Sequence, residues 1–115
     1  MDGLWLTDDH KGVVRIGPCG QRTCGWIVRV LDTRPGVPTR DINNPDAGLR
    51  RRTILGLPVL SGFVPYRGTY VGGTAYDPKS GRSYRASLRL GSGGALEVTG
   101  CVLLFCRTMT WTRTR

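Results

Sequence analysis

The sequence has few of the side chains that enzymes most often use for acid–base or covalent chemistry. Among 115 residues, His10 is the one histidine and Glu97 the one glutamate. No pair of carboxylates has a spacing typical of general acid–base catalysis, and no serine or cysteine lies in a nucleophile elbow. The composition therefore favours a non-catalytic protein, and it predicts neither a cofactor nor a metal site.

Long hydrophobic runs are also missing. No apolar segment approaches the length of about 20 residues that spans a bilayer, so we expect no membrane-spanning helix. The N-terminal residues 1–5 lack the basic and apolar stretches of a signal peptide. Either the protein stays inside the cell, or the chain is a mature form with an added Met1, which the family resemblance given below favours. Its length predicts one domain over residues 1–115.

Acidic residues are scarce relative to basic ones, at 8 against 17, which gives a formal charge of +9. A field of this sign favours anionic partners. The arginines are dispersed, which is typical of a solvated surface, and we expect no nucleic-acid partner. One run, Arg50-Arg51-Arg52, could hold an anionic headgroup together with Arg40.

Short alternating segments separated by glycine-rich turns make up most of the chain. The clearest is Ser83–Leu90, in which apolar and polar residues alternate with the period of two that places them on opposite faces of a strand. The predicted strands are Leu4–Thr7, Val13–Ile16, Gly25–Leu31, Ile54–Val64 (whole or broken), Thr69–Tyr76, Ser83–Leu90, Leu96–Thr99 and Phe105–Arg113. About eight hairpin-linked strands predict an all-β fold, either an antiparallel up-and-down barrel or a sandwich, and a barrel leaves no exposed edge.

The middle segment, Asp32–Arg52, breaks this pattern with three prolines and no alternation. It predicts a long loop with one helical turn, capped by Asn44 with Pro45 in the first helical position. Its polar cluster consists of Asp41, Asn43, Asn44 and Asp46. The oxygen spacing is partly that of a calcium loop, but Asx turns and a helix cap explain the same residues, and we favour the second interpretation.

Two sets of residues resemble known families. Gly3-Leu4-Trp5 and Arg113 resemble the calycin signature, in which a Gly-x-Trp packs under an arginine of the last strand, so we expect Trp5 and Arg113 to close the barrel. The wider pattern is similar to the bacterial family named domain of unknown function 2147. The matching residues are Arg15-Ile16, Cys19, Cys24–Val28, Asp41, Asn43–Asp46, Arg52, Leu55–Leu57, Gly72-Gly73, Tyr76–Pro78, Ser80-Gly81, Tyr84, Gly100 and Thr110–Arg113.

This resemblance implies a lipocalin-like barrel and a periplasmic or secreted location. The activity of the family is unassigned, so the resemblance implies no function.

The four cysteines form two pairs of equal spacing, Cys19 with Cys24 and Cys101 with Cys106. Residues spaced in this way can face each other across a hairpin at disulfide distance, although four cysteines allow three pairings. Two Cys-x4-Cys units also lie at the outer edge of zinc-ligand spacing. Because the resemblance implies an oxidising compartment, we favour two local disulfides over zinc.

The second cysteine pair encloses an apolar hairpin tip, Val102–Phe105, at a position where polar residues are usual. We expect this tip to be buried against the barrel mouth. A dimer contact and insertion into a membrane are the alternatives.

Aromatic residues supply the candidate ligand site, which an eight-stranded barrel can fill or leave open for one small ligand. The predicted lining residues are Trp26, Tyr76, Tyr84 and Trp111. The favoured hypothesis is a monomeric, exported, non-catalytic module that binds a small apolar or amphiphilic ligand. One alternative is a cell-envelope protein that docks on anionic lipid or glycan through Arg40 and Arg50–Arg52. The other is an enzyme that uses the Asp41–Asp46 loop.

Overall fold

A computed structural model describes residues 1–115 as a closed barrel of eight antiparallel strands, each paired with its neighbours in sequence. The strands are β1 Gly3–Leu6, β2 Gly12–Cys19, β3 Arg22–Val30, β4 Pro58–Tyr66, β5 Thr69–Asp77, β6 Arg82–Leu90, β7 Leu96–Val102 and β8 Phe105–Arg113. Two 3-10 turns, Ala47–Leu49 and Ser92–Gly94, are the helical elements. The predicted all-β up-and-down barrel is confirmed. No helix in the chain combines the length and apolar character that crossing a membrane requires.

Two details of the middle segment differ from the prediction. Strand β4 begins at Pro58, and residues 54–56 form a bend and a turn instead of the start of the strand. The helical turn is capped by Asp46, whose carboxylate accepts a hydrogen bond from the backbone N–H of Gly48 at 2.9 Å. Asn44 does not cap it, because its side chain points into a buried cluster around Asp41.

The alternation of each strand separates a dry interior from a polar outer wall. On β6 and β7 the buried positions recur every second residue, and the residues between them face outward. Glu97, for example, faces outward as its place in the alternation predicts, and its Oε1 accepts from Nε of Arg89 at 3.0 Å. The buried core consists of Trp5, Val14, Ile16, Ile27, Leu57, Val59, Leu60, Phe63, Ala86, Leu88, Leu96, Val98 and Trp111.

The up-and-down order gives the barrel two different ends. Connections β1–β2, β3–β4, β5–β6 and β7–β8 lie at one end, which we name the mouth. Connections β2–β3, β4–β5 and β6–β7 and both termini lie at the other, which we name the base. The half nearer the base is filled by large side chains with no exposed surface, including Trp5, Phe63, Leu88 and Leu96.

The pairing of β1 with β8 closes the barrel and places Trp5 opposite Arg113. The Arg113 guanidinium lies 4.4 Å from the centroid of the Trp5 ring, and its Nη1 donates to the carbonyl of Asp2 at 2.7 Å. A Cβ at Gly3 would lie 2.5 Å from this Nη1. The glycine of the Gly-x-Trp motif therefore leaves the space through which the arginine reaches the chain start.

Both predicted disulfides are present, Cys19–Cys24 near the base and Cys101–Cys106 at the mouth. Each bridges the two strands of a single hairpin. Cys101 and Cys106 are directly opposite in the β7–β8 register, whereas Cys19 and Cys24 are diagonal partners in the β2–β3 register.

Candidate ligand-binding site

A cavity of about 500 Å³ occupies the mouth half of the barrel. Its volume lies within the range of about 300–1,000 Å³ that is usual for small-molecule sites. Apolar side chains of the strands form its floor and walls, among them Val14, Ile27, Val59, Leu60, Val98 and Met109. A smaller hollow of about 250 Å³ lies on the outer wall among polar side chains such as Ser87, Thr99 and Thr108. The mouth cavity is therefore the candidate ligand site.

Three of the four predicted lining residues, Tyr76, Tyr84 and Trp111, do line this cavity. Their contact with a ligand remains a prediction. The fourth, Trp26, does not line the cavity, which corrects the prediction. It is opposite Arg15 on β2, and the Arg15 guanidinium covers its ring at 4.7 Å on the outer wall. Arg15 faces outward because Val14 and Ile16 on either side of it are buried.

Other lining residues were missed by the sequence-based prediction. Val37, Pro38 and Ile54 belong to the β3–β4 loop and fold over the mouth. Their apolar character within a polar loop was the available signal. Arg107 also lines the cavity, on the same face of β8 as Met109 and Trp111. An arginine between the apolar residues Phe105 and Met109 on this face was the signal for Arg107.

Charged side chains of the mouth connections form the rim of the cavity. Lys79 pairs with Asp9, and Asp32 pairs with Arg34 at 2.8 Å and with Lys11 at 3.8 Å. The hydrogen bond from Arg34 is the largest influence that lowers the pKa of Asp32, to about 2. The acidic groups of these pairs are thus charged at neutral pH.

Two rim cations have no carboxylate partner. Arg107 makes neither an ion pair nor a side-chain hydrogen bond, and Arg40 donates only to the backbone carbonyl of Arg51, at 2.7 Å. Of the two, Arg107 extends from the barrel wall itself, so it is the free positive charge closest to the apolar lining.

A buried carboxylate holds the β3–β4 loop against the barrel. Asp41 has no exposed surface, and its Oδ1 accepts from the hydroxyl of Tyr76 on β5 at 2.6 Å. Its Oδ2 accepts from the Asn44 amide at 2.9 Å and from Arg52 Nη2 at 3.2 Å. A buried charge needs such a full set of donors to offset its desolvation. We name Asp41, Asn44, Arg52 and Tyr76 the loop anchor.

The loop anchor shifts the pKa of both of its acidic groups. Burial raises the pKa of Asp41, but the hydrogen bonds from Tyr76, Asn44 and Arg52 outweigh burial and lower it below 3.8. Burial and the hydrogen bond to the Asp41 carboxylate together raise the pKa of Tyr76 to about 12. Both groups are thereby held in one protonation state around neutral pH, which suits an anchor better than a proton-transfer site.

The other residues of the predicted polar loop also hold the chain in place. Asn43 donates its amide to the carbonyls of Pro78 at 3.3 Å and Lys79 at 3.0 Å, in the β5–β6 connection. Gly81 is buried there with φ +72°, and a Cβ would overlap the Asn43 carbonyl oxygen. Asp46 caps the 3-10 turn, as described above.

Three of the four arginines of the predicted anion site hydrogen-bond within residues 40–52. Arg50 donates through Nε to the carbonyl of Asn44 at 2.7 Å, and Arg52 is part of the loop anchor. Arg40 is bound to the backbone at Arg51, as noted for the rim. Of the four predicted anion-binding residues, Arg51 alone has a side chain with no hydrogen bond, and joint binding of an anion by the four remains a prediction.

The apolar β7–β8 tip projects from the mouth and is not buried against it. Leu103 is 92% exposed and Leu104 is 95% exposed. The expected burial is therefore wrong: the directly opposed Cys101–Cys106 pair holds the tip as a straight continuation of the hairpin, and no other connection covers it.

The chain matches the family model described as "Uncharacterized protein conserved in bacteria (DUF2147)" over residues 3–113. The chain belongs to this family. Among solved structures it is similar to protein HP1028 from the human pathogen Helicobacter pylori, which belongs to the lipocalin family. The TM-score is 0.85 at 24% identity, over 99% of this chain and 82% of that chain. The similarity shows that the fold is lipocalin-like. No functionally curated protein matches the chain.

Proposed function

We propose that this protein is a non-catalytic binding module that encloses one small apolar or amphiphilic ligand in the mouth cavity. The observation that carries the proposal is the cavity of about 500 Å³, with apolar walls and open at the mouth, in an otherwise closely packed barrel. Burying apolar ligand surface there is worth about 25 cal/mol per Å².

The unpaired Arg107 favours an amphiphile whose head is anionic. Its position at the rim allows an apolar tail to lie among Val98, Met109 and Trp111 while a carboxylate or phosphate lies beside the guanidinium. Charge-assisted hydrogen bonds of this kind orient a ligand as well as retain it.

A cavity-filling variant tests the proposal. Ala75 lines the cavity, and Ala75→Phe would occupy space that the ligand needs. We expect the affinity for the fluorescent probe N-phenyl-1-naphthylamine to fall about 10-fold or more, because apolar volume is lost, with the melting temperature unchanged or raised. Ala47→Phe, on the exposed 3-10 turn, is the matched control and should bind like the wild type.

Competition of decanoate and of decanol with N-phenyl-1-naphthylamine then tests whether the site prefers an anionic head group. Arg107→Gln should weaken decanoate and leave decanol unchanged if the guanidinium holds the anion. If the wild-type protein binds none of the three compounds, the cavity is not a site for such ligands and the proposal is abandoned.

We further infer that the protein functions outside the cytoplasm. Two disulfides in a chain without free cysteines are consistent with an oxidising compartment. Labelling the protein in its host with a thiol-reactive reagent before lysis measures whether the four cysteines are oxidised there. Unmodified protein is expected, and modification of all four cysteines would contradict export.

A further inference from the structure

The β7–β8 tip, residues 102–105, is an apolar projection at the mouth of the barrel. Leu103, Leu104 and Phe105 are 92%, 95% and 81% exposed, and Val102 is 50% exposed. None of the four lines the mouth cavity. Four neighbouring apolar side chains in water indicate an interaction with something outside the chain.

The turn itself is built against the local preference of its residues. Leu103 is in the first position of the two-residue turn with φ +54°, a conformation that glycine and asparagine adopt with far less strain. In the β2–β3 hairpin the same position is taken by Gly20, with φ +67°. The apolar side chain at Leu103 is therefore not a requirement of the hairpin, which would be better served by glycine.

The disulfide directly behind the tip fixes the shape of this projection. Cys101 and Cys106 are opposite each other, and Val102 and Phe105 are opposite each other one step further out. Binding through an already ordered tip avoids most of the entropy that a flexible loop would lose.

Two arginines lie immediately behind the apolar residues. Arg107 is opposite Gly100 on the inner face, and Arg85 is opposite Cys101 on the outer face. Neither is in any of the five ion pairs of the protein. Residues 98–108 contain no acidic side chain. The tip is therefore apolar at its end and positively charged behind it.

We propose that the protein docks on anionic lipid bilayers by inserting the β7–β8 tip, with Arg85 and Arg107 at the level of the lipid phosphates. At about 3.3 Å per residue, Leu104 lies about 10 Å beyond Arg107, which matches the depth of about 5–10 Å reached by interfacial apolar groups. Docking in this way turns the mouth cavity toward the membrane. The docking does not depend on the ligand binding proposed above.

The charge behind the tip favours lipid over a second copy of this chain as the partner. Two copies joined tip to tip would bring the arginines behind their tips close together. Each copy also has a net charge of +9, so the two copies would repel each other. The tip also offers four residues, whereas a stable protein interface uses about 20–30 residues from each side. A lipid surface needs no such area and supplies the anions.

Flotation of the oxidised full-length protein with vesicles tests the proposal. Wild-type protein should float with vesicles of phosphatidylcholine containing 30% phosphatidylglycerol, and less with phosphatidylcholine alone. In L103N/L104G the turn gains favourable residues and the tip loses its apolar groups. Its partition coefficient should fall about 10-fold or more, the loss expected from two leucines, without a fall in melting temperature. Phe105→Ser should act in the same direction.

Matched variants separate the apolar from the charged contribution. Leu90→Asn, at an exposed leucine near the base, should bind vesicles like the wild type. Arg85→Gln should bind anionic vesicles about 5-fold less well, as expected for one interfacial arginine, and its binding should depend less on salt.

Two results would overturn the proposal. Wild-type protein that stays free of anionic vesicles, or L103N/L104G that floats as well as the wild type, excludes membrane docking by this tip. A wild-type dimer in analytical ultracentrifugation that L103N/L104G converts to a monomer would assign the tip to a second copy instead. Binding of N-phenyl-1-naphthylamine is measured on the same samples, so failure of docking and failure of ligand binding are distinguished.

Discussion

The base and the mouth of this barrel are built from the same strands, but the base is filled with side chains and the mouth contains a cavity. Near the base, Trp5 and Phe63 fill the interior and Arg113 covers the closing pair. At the mouth the interior is left open, and a loop held by the buried charge of Asp41 lies over it. The difference predicts that folding stability comes mainly from the base. It leaves the mouth open for the proposed ligand, because closely packed side chains would remove the cavity.

The two disulfide hairpins show the same division on a smaller scale. Both have cysteines five residues apart and a two-residue turn. The turn near the base is Gly20-Gln21, and the turn at the mouth is Leu103-Leu104. Since Gly20-Gln21 suffices for a disulfide-linked hairpin, we attribute Leu103-Leu104 to the proposed membrane contact.

The largest expected effect comes from removing the indole at the base. Trp5→Ala should lower the free energy of unfolding by about 3–5 kcal/mol, because it leaves a large void and removes the ring on which Arg113 stacks. Trp26→Ala, which removes the same side chain from the outer wall, should cost about 1 kcal/mol or less. Chemical denaturation measures both values. Equal losses for the two variants would contradict the assignment of stability to the base.

A smaller effect is expected from the loop anchor at the mouth. Tyr76→Phe removes the 2.6 Å hydrogen bond to Asp41 and should lower the free energy of unfolding by about 1–2 kcal/mol at neutral pH. Tyr70→Phe, at a half-buried tyrosine whose hydroxyl makes no hydrogen bond, is the control. If the two variants unfold alike, Tyr76 does not hold the loop.

The pH dependence of the same variant sharpens this prediction. The pKa of Asp41 is below 3.8, so its contribution to stability is present above that value and is lost as the pH falls through the lowered pKa. Tyr76→Phe removes one of the donors that lower this pKa, so its acid unfolding should begin at higher pH.

At the alkaline end, the wild-type contribution of Tyr76 is present below its ordinary pKa of 10.0 and is lost as the pH approaches 12. In Tyr76→Phe, an ultraviolet titration should therefore show one fewer tyrosine that ionises near pH 12.

Local patterns predicted the barrel but not how its loop is held. Alternation on Ser83–Leu90 and the hairpin turns are short-range signals, and each strand pairs with its sequence neighbours, so these signals sufficed for the topology. The cysteine spacing allowed local disulfides, and the family resemblance decided between disulfides and zinc. The local sequence allows Asn44 to cap a helix, but its side chain donates to Asp41 instead. Asp41 in turn accepts from Tyr76, which lies 35 residues further along the chain, and no local pattern contains that contact.

Two further errors have related causes. Trp26, Ile27 and Val28 are consecutive apolar residues, so no period of two decides which of them faces inward, and the register shift beside Trp26 adds to the ambiguity. At the β7–β8 tip, hydrophobicity alone predicted burial. Whether another segment covers a hairpin tip depends on contacts far apart in the sequence, which the local pattern does not contain.

The placement of the disulfides has a consequence for biosynthesis. Each bond joins a cysteine to its nearest cysteine in the chain, across four intervening residues. As the chain emerges, Cys19 meets Cys24 long before Cys101 or Cys106 exists, and short loops close fastest. The order of synthesis thus selects the native partner for every thiol, and correct oxidation needs only an oxidant, with no later exchange of partners.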